Sequence, residues 1–237
     1  MLGSEENVLV VAEILQKYGI TKTVIDPVII STTGSRLLPE CAVNAIREKL
    51  FPLALILTPN IPEAIQFLPS HQSLNSLDGL ISAAKVLGGM GPKNILLKGG
   101  HLPFRRTEGG YVPAGKGEKE IVIDVFWDGK DFALIESPYV NTKNTHGTGC
   151  SLACIPPHCY IHIFVHQLLS ETIAAIASNL ARGMEVLEAV RAGCSYVSAG
   201  ISSAFMLGKG HGPINHLHSN YIMPFAPSVP PHISIQY

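Results

Sequence analysis

Four short polar stretches carry the side chains that could do chemistry. The first is Asn144-Thr145-His146-Gly147-Thr148-Gly149-Cys150. Gly147 and Gly149 let a backbone turn sharply and present N–H groups with no Cβ in the way. A helix starting after His146 adds the positive end of its dipole, and together these make an anion hole suited to phosphoryl charge. An ordinary glycine-rich turn is the alternative. The sequence has no G-x-x-x-x-G-K-[ST], so the loop is not a P-loop. Cys150 falls in the first turn of that helix, where a thiol pKa is depressed and the side chain can act as base or nucleophile. A buried structural cysteine is the other reading.

The second stretch is Asn60-x-x-Glu63. This spacing puts a carboxamide and a carboxylate on one helical turn, which suits water-mediated Mg²⁺ binding beside phosphates. A helix cap with a solvated glutamate is the alternative. The third, Lys98-Gly99-Gly100-His101, could reach a triphosphate with its lysine, or leave it solvated. The fourth is Asp26, at the end of an apolar run. An uncompensated carboxylate there is costly, so it needs a function or a structural cap.

The elements that must position these residues are legible in the periodicity. Apolar residues at helical spacing run from Val8 to Tyr18, and Gly19 stops them. TVIDPVII reads as a buried strand that runs into the loop STTGSRLL, and Glu40–Lys49 as a helix. LALILTPN is a second buried strand, followed by a short helix at Pro62–Leu68 and a longer one at Leu77–Leu87. NILLKGGH is a third strand, IVIDVFWDG and KDFALIESP form a hairpin around Asp128-Gly129, and Glu185–Ala199 is helical. Strands alternating with helices predict an α/β/α arrangement with a mostly parallel sheet. In such sheets ligands bind beyond the carboxyl ends of the strands, where all four polar stretches fall.

Composition narrows the function classes. The 237 residues are 46% hydrophobic and 15% charged with net charge −1, which gives a sizeable core and no basic footprint for nucleic acid. The most apolar stretch, Tyr160 to Ala177, contains His162, His166, Gln167 and Glu171, so no membrane span is expected. The N-terminus has no basic region followed by an apolar core and is not a signal peptide. Five unevenly spread cysteines (Cys41, Cys150, Cys154, Cys159 and Cys194) fit a reducing compartment, hence the cytoplasm. After Met206 the chain becomes rich in Gly, Pro and His and reads as linker or tail.

With these residues assembled, the chain resembles the hydroxymethylpyrimidine phosphate kinases of thiamine biosynthesis, of fungal type, in the ribokinase-like superfamily. The matching stretches are VIDPVIISTTGSRLL, LILTPNIPEA, ILLKGGH, DVFWDG and NTHGTGCSLA, in family order. The resemblance implies a three-layer ribokinase-like kinase domain over residues 1–207, with 208–237 a linker or tail. It implies ATP and Mg²⁺ as cofactors, a small-molecule acceptor (hydroxymethylpyrimidine or its phosphate), and a possible homodimer. Residue by residue, Cys150 matches the base that deprotonates the acceptor, and Gly147, Thr148 and Gly149 match the anion hole. Asn60 and Glu63 match the metal- and phosphate-organising motif. Asp26, Lys98 and Thr145 match the nucleotide side of the site. Two other readings stand beside it: a pyridoxal kinase-like enzyme, and an inactive remnant that binds nucleotide or a partner.

The chain departs from the family pattern in three places, the last being the C-terminal SVPPHISIQY, which shows no second-domain pattern and reads as a disordered tail. Met1-Leu2-Gly3-Ser4 resembles an internal stretch of the family, so a sheet incomplete at its N-terminal side is expected. Residues 155–174 interrupt a helix that family members run without a break. Pro156 and Pro157 cost about 3 kcal/mol each inside a helix, so the anion-hole helix should stop near Ile155. The hypothesis for this segment is a translated intron with splice sites at Cys154 and Ile173-Ala174. Coding DNA with codons other than TGT at Cys154 or ATA-GCN at Ile173-Ala174 excludes it. The segment also offers zinc-like spacings among Cys150, Cys154, His158, Cys159, His162 and His166.

Overall fold

The computed structural model describes residues 2–30, 36–70, 72–115, 117–141, 171–204 and 214–219. Helix α1 runs from Glu5 to Lys17. It begins one turn earlier than its apolar pattern suggests because Ser4 caps it, accepting a hydrogen bond from the Asn7 amide, with Glu5 and Glu6 in the first turn. Helix α2 (Glu40–Ala45) continues into a π-helical turn at Ile46–Leu50 and a 3₁₀ turn at Phe51–Leu53, where Pro52 ends the run. Helices α3 (Ile61–Ile65) and α4 (Leu77–Gly88) follow, then α5 (Glu171–Ala181) and α6 (Val186–Ser202).

Strands β1 (Val24–Ile25), β2 (Ile56–Leu57) and β3 (Asn94–Leu97) pair in parallel, in that order. β1 and β2 are shorter than the apolar runs that contain them. Pro27 and Pro59 lack the N–H that a longer ladder would use, and each strand ends before its proline. Strand β4 (Phe104–Thr107) pairs antiparallel with β5 (Gly110–Pro113) across a two-residue turn, Glu108-Gly109. Gly110 sits at φ 114°, a conformation open to glycine, and this hairpin was not apparent from the alternation of side chains. Strands β6 (Ile121–Trp127) and β7 (Phe132–Pro138) form the expected hairpin, closed by Asp128, whose Oδ1 accepts from the Lys130 and Asp131 amides. β7 occupies one edge of β6 throughout. The other edge pairs with β3 through Val125, Phe126 and Trp127, and with β4 at Ile121. The fold class is the expected one, an open α/β sheet covered on both faces. Its parallel part, β1 to β3, carries the polar loops, and antiparallel hairpins extend it.

Strand alternation divides the core in two. Ile25, Leu57, Ile95, Leu97 and Val125 join α1, α2, α3 and α4 in one apolar cluster. Val24, Ile56, Leu96, Phe126 and Ile135 face the other way, onto α5 and α6. Slipping any strand by one residue would exchange these sets, so the two cores fix the register. The α5–α6 contact is close: a Cβ at Gly193 would come within 2.6 Å of Ile176 Cγ1. Residues 214–219, within the stretch that composition reads as linker or tail, pack on α6. Ile214 and Asn215 are buried, and the Asn215 amide donates to the Gly200 carbonyl. Among the described residues no helix is long and apolar enough to cross a membrane.

Candidate active site

The face of the sheet under α5 and α6 changes from apolar to polar at the carboxyl ends of the parallel strands. Two positions beyond Val24, Ile56 and Leu96 stand Asp26, Thr58 and Lys98, and these three touch. Asp26 Oδ1 accepts from Thr58 Oγ1 and from Lys98 Nζ, each at 2.8 Å. The Asp26 side chain is 4% exposed and that of Lys98 20%, so this is an ion pair largely withdrawn from water. Asp26 Oδ2 is buried and has no hydrogen-bond partner among the described residues. Burial opposes the charge on Lys98, but Asp26 and Glu63 outweigh it and raise the lysine's pKa, so the ammonium form persists at neutral pH.

Asn60 and Glu63 close a reciprocal cap at the start of α3. Asn60 Oδ1 accepts from the Glu63 amide and Glu63 Oε2 from the Asn60 amide, both at 2.9 Å. The cap therefore exists, but its glutamate is not solvated: Glu63 is 2% exposed. Lys98 is not free in solvent either. Its amide donates to the Pro59 carbonyl at 2.9 Å and its backbone bridges Asn60, which ties the end of β3 to the start of α3. Burial, then the charge of Asp26, push the Glu63 carboxyl up to about 8, against the opposing pull of Lys98 and the two Asn60 hydrogen bonds. Glu63 therefore holds a proton at neutral pH, in a site already carrying one uncompensated carboxylate oxygen.

A stability measurement checks this. A carboxyl whose pKa rises on folding from 4.5 to about 8 stabilises the fold fully below the lower value. That contribution, with an upper bound of about 5 kcal/mol, is lost as pH climbs through the higher value. Glu63→Gln mimics the protonated side chain and keeps an acceptor for the Asn60 amide. Its thermal stability, without divalent cations, is expected to fall less than wild type between roughly pH 5 and pH 9. Parallel curves would show that Glu63 is ionised throughout.

Asp124 on β6 lies two positions before Phe126, on the same face, and extends the polar row to a fourth strand. Its Oδ1 accepts from the Gly99 amide at 2.8 Å, and the buried Cys194 of α6 is near enough for its thiol and this carboxylate to shift each other's titration. Burial raises the Asp124 pKa. Burial, then the Asp124 charge, raise that of Cys194 well above the usual thiol value. A Cβ at position 99 would stand 1.8 Å from the Ile123 carbonyl oxygen, so only glycine lets the chain pass there.

Of the residues singled out from the sequence, Asp26, Asn60, Glu63 and Lys98 are brought together. Thr145, Gly147, Thr148, Gly149 and Cys150 lie outside the described residues, as do the other members of the zinc-like set. Thr58, Asp124 and Cys194 were not anticipated. Asp124 carried a signal, since a carboxylate inside the apolar run IVIDVFW raises the same question as Asp26. Cys194, on the buried face of an ordinary amphipathic helix, carried none.

Comparison with known proteins gives a coherent set of likenesses. The family model described as phosphomethylpyrimidine kinase matches residues 1–155 and 170–215, and the gap falls within the 155–174 interruption. The thiamine biosynthesis bifunctional protein of Geobacter sulfurreducens is 36% identical over 92% of this chain. The hydroxymethylpyrimidine/phosphomethylpyrimidine kinase of Bacillus subtilis is 31% identical over 91% of it. The chain spans 37% of the length of the first and 66% of the second. Among solved structures, an ADP complex of Bacillus subtilis pyridoxal kinase superposes with a TM-score of 0.67 at 29% identity, covering 92% of this chain and 68% of that one.

Proposed function

This chain belongs to the phosphomethylpyrimidine kinase family, and we propose that it phosphorylates hydroxymethylpyrimidine and its monophosphate with ATP, as a step of thiamine biosynthesis in the cytoplasm. The observation that carries this reading is the Asp26–Lys98 pair. Three adjacent parallel strands deliver a charged ammonium, its carboxylate partner and a capped Asn60–Glu63 turn to one place, where an open α/β sheet binds its ligands.

The donors fit a hard divalent cation held through water. They are oxygen groups, one buried carboxylate oxygen lacks a partner among the described residues, and Glu63 keeps its proton because burial and the Asp26 charge outweigh the pull of Lys98. Among the described residues no cluster of three His, Cys, Asp or Glu side chains stands ready to ligate a metal directly. When bound, Mg-ATP supplies the phosphoryl group and neutralises charge between its phosphates.

The chain's own groups then divide the work. Lys98, held by Asp26, donates to phosphate oxygens. The cap uses Oδ1 of Asn60 and Oε2 of Glu63, which leaves Asn60 Nδ2 to donate to a phosphate oxygen and Glu63 Oε1 to accept from a water of the cation's hydration shell. By the family resemblance, the amides of Gly147, Thr148 and Gly149 stabilise the transferred group, Thr145 serves the nucleotide, and Cys150 takes the proton of the acceptor alcohol. A homodimer is the assembly the family resemblance supports.

The likeness to pyridoxal kinase favours one second reading, phosphorylation of pyridoxal. Both are decided by Mg-ATP-dependent ADP release from the purified chain with hydroxymethylpyrimidine, its phosphate or pyridoxal as acceptor. Release with either pyrimidine is the expected result, and release with pyridoxal alone supports the second reading. Soluble protein that binds Mg-ATP and releases no ADP with any acceptor is a binding remnant and overturns both.

A further inference from the structure

Lys98 is followed by two glycines, a poor way to hold a lysine still. Backbone pairing between β3 and β6 ends at Leu97 and Val125, one residue before Lys98. The next two amides are nonetheless fixed. The Lys98 amide donates to Pro59, beyond β2, and the Gly99 amide to Asp124 Oδ1, on β6. A side-chain carboxylate thus takes over where the backbone ladder stops. Cys194 faces that carboxylate from the helix layer, and Gly99 lies too close to Ile123 for any side chain.

We infer that Asp124 is a positioning residue for Lys98. It fixes the Lys98–Gly99 turn through the Gly99 amide, and Cys194 anchors it to α6. The inference rests on the phosphoryl-transfer reading for its purpose, but its geometry stands apart from that reading. Packing alone would not call for this arrangement. An apolar side chain at position 124 would fill the space beside Phe126 without taking a carboxylate out of water. What the carboxylate adds is an acceptor aimed at one amide, next to the residue that must meet a phosphate. A displacement of about 1 Å at such a residue costs on the order of a hundredfold in rate. Asp124 also adds to the negative field that keeps Lys98 charged, so hydrogen bonding and charge have to be separated.

Asp124→Asn separates them. It keeps an oxygen for the Gly99 amide and offers Cys194 an N–H, while removing the charge. Asp124→Ala removes both. The full chain, labelled with ¹³Cε-lysine, reports Lys98 as the resonance lost in Lys98→Arg, and Mg-ATP affinity is measured by calorimetry well below each variant's Tm. In Asp124→Ala the Lys98 resonance is expected to move toward the position of solvated lysines and Mg-ATP to bind about tenfold more weakly. In Asp124→Asn the resonance stays and affinity returns to within about threefold of wild type. Cys194→Ala, which leaves Asp124 in place, should give a smaller shift in the same direction.

An unmoved Lys98 resonance in Asp124→Ala overturns the inference. So does an Asp124→Asn chain as impaired as Asp124→Ala, which would make the charge decisive. If Asp124→Ala does not fold, Cys194→Ala decides: an unchanged Lys98 resonance there overturns the inference, and a shift that Asp124→Asn lacks supports it. Failure of the wild-type chain to bind Mg-ATP sinks the phosphoryl-transfer reading instead, and leaves the Lys98 resonance to decide this one.

Discussion

Lys98→Met is expected to lower kcat by roughly 10²–10³-fold, the usual cost of losing one preorganised donor to transition-state charge. The argument needs a control, because Lys98 also neutralises Asp26. Without it the Asp26 carboxylate, 4% exposed, keeps, among the described residues, the Thr58 hydroxyl on Oδ1 and no partner on Oδ2. Breaking a buried pair on one side costs about 3–5 kcal/mol, and the 20% exposure of Lys98 places this pair at or below the lower end. A drop in activity alone could therefore reflect unfolding. The double variant Lys98→Met with Asp26→Asn resolves this, since a neutral amide beside methionine leaves no stranded charge. Its Tm should recover most of what the single variant loses, and its turnover should not. Recovery of turnover together with stability would remove Lys98 from the chemistry and make the pair a structural device.

Cys150→Ala is expected to remove most turnover, on the order of 10²–10⁴-fold, while Mg-ATP binds with nearly its wild-type affinity. The split follows from the role. A base acts on the acceptor's hydroxyl and not on the nucleotide, so its loss raises the barrier without weakening ATP binding. The sequence pattern predicts Cys150 in the first turn of a helix, where a thiol is partly ionised near neutral pH, so the wild-type rate should rise with pH along a limb that the alanine variant lacks. Calorimetric affinity for Mg-ATP and a pH–rate profile test both halves. Retained turnover would exclude Cys150 as the base and leave the acceptor proton to solvent or another group.

Much of this site was legible before any fold was known, because a carboxylate or lysine ending an apolar strand is an unusual expense. Asp26 and Lys98 were visible for that reason, and Glu63 through its spacing from Asn60. What could not be read was which of their alternatives held. Whether Glu63 is solvated depends on what covers α3, and that is set by residues far along the chain. Thr58 was hidden because threonine is an unremarkable strand residue, and Cys194 because a small side chain on an apolar helix face looks like packing. The strands were placed correctly but drawn too long, since the apolar run of the first continues past Pro27 while its ladder ends at Ile25, and the ladder of the second ends at Leu57 and resumes only as a single bridge at Asn60. The β4–β5 hairpin was missed because Phe104 to Thr107 puts three exposed or half-buried residues behind one buried one and shows no clean alternation.

The reciprocal cap on α3 bears on how these sequences are sorted. Asn60 and Glu63 close the helix with one oxygen each, whatever their other atoms do in the proposed reaction. A lineage that abandoned the reaction would still be selected to keep both, because losing the cap costs about 1 kcal/mol whatever the protein does. Their presence is thus weak testimony to a working kinase. Lys98 is a better witness. Its pairing with Asp26 can be replaced by two neutral residues with little harm to the fold, so a non-functional descendant is free to lose both together, and a chain that still holds them has had a reason beyond stability to do so.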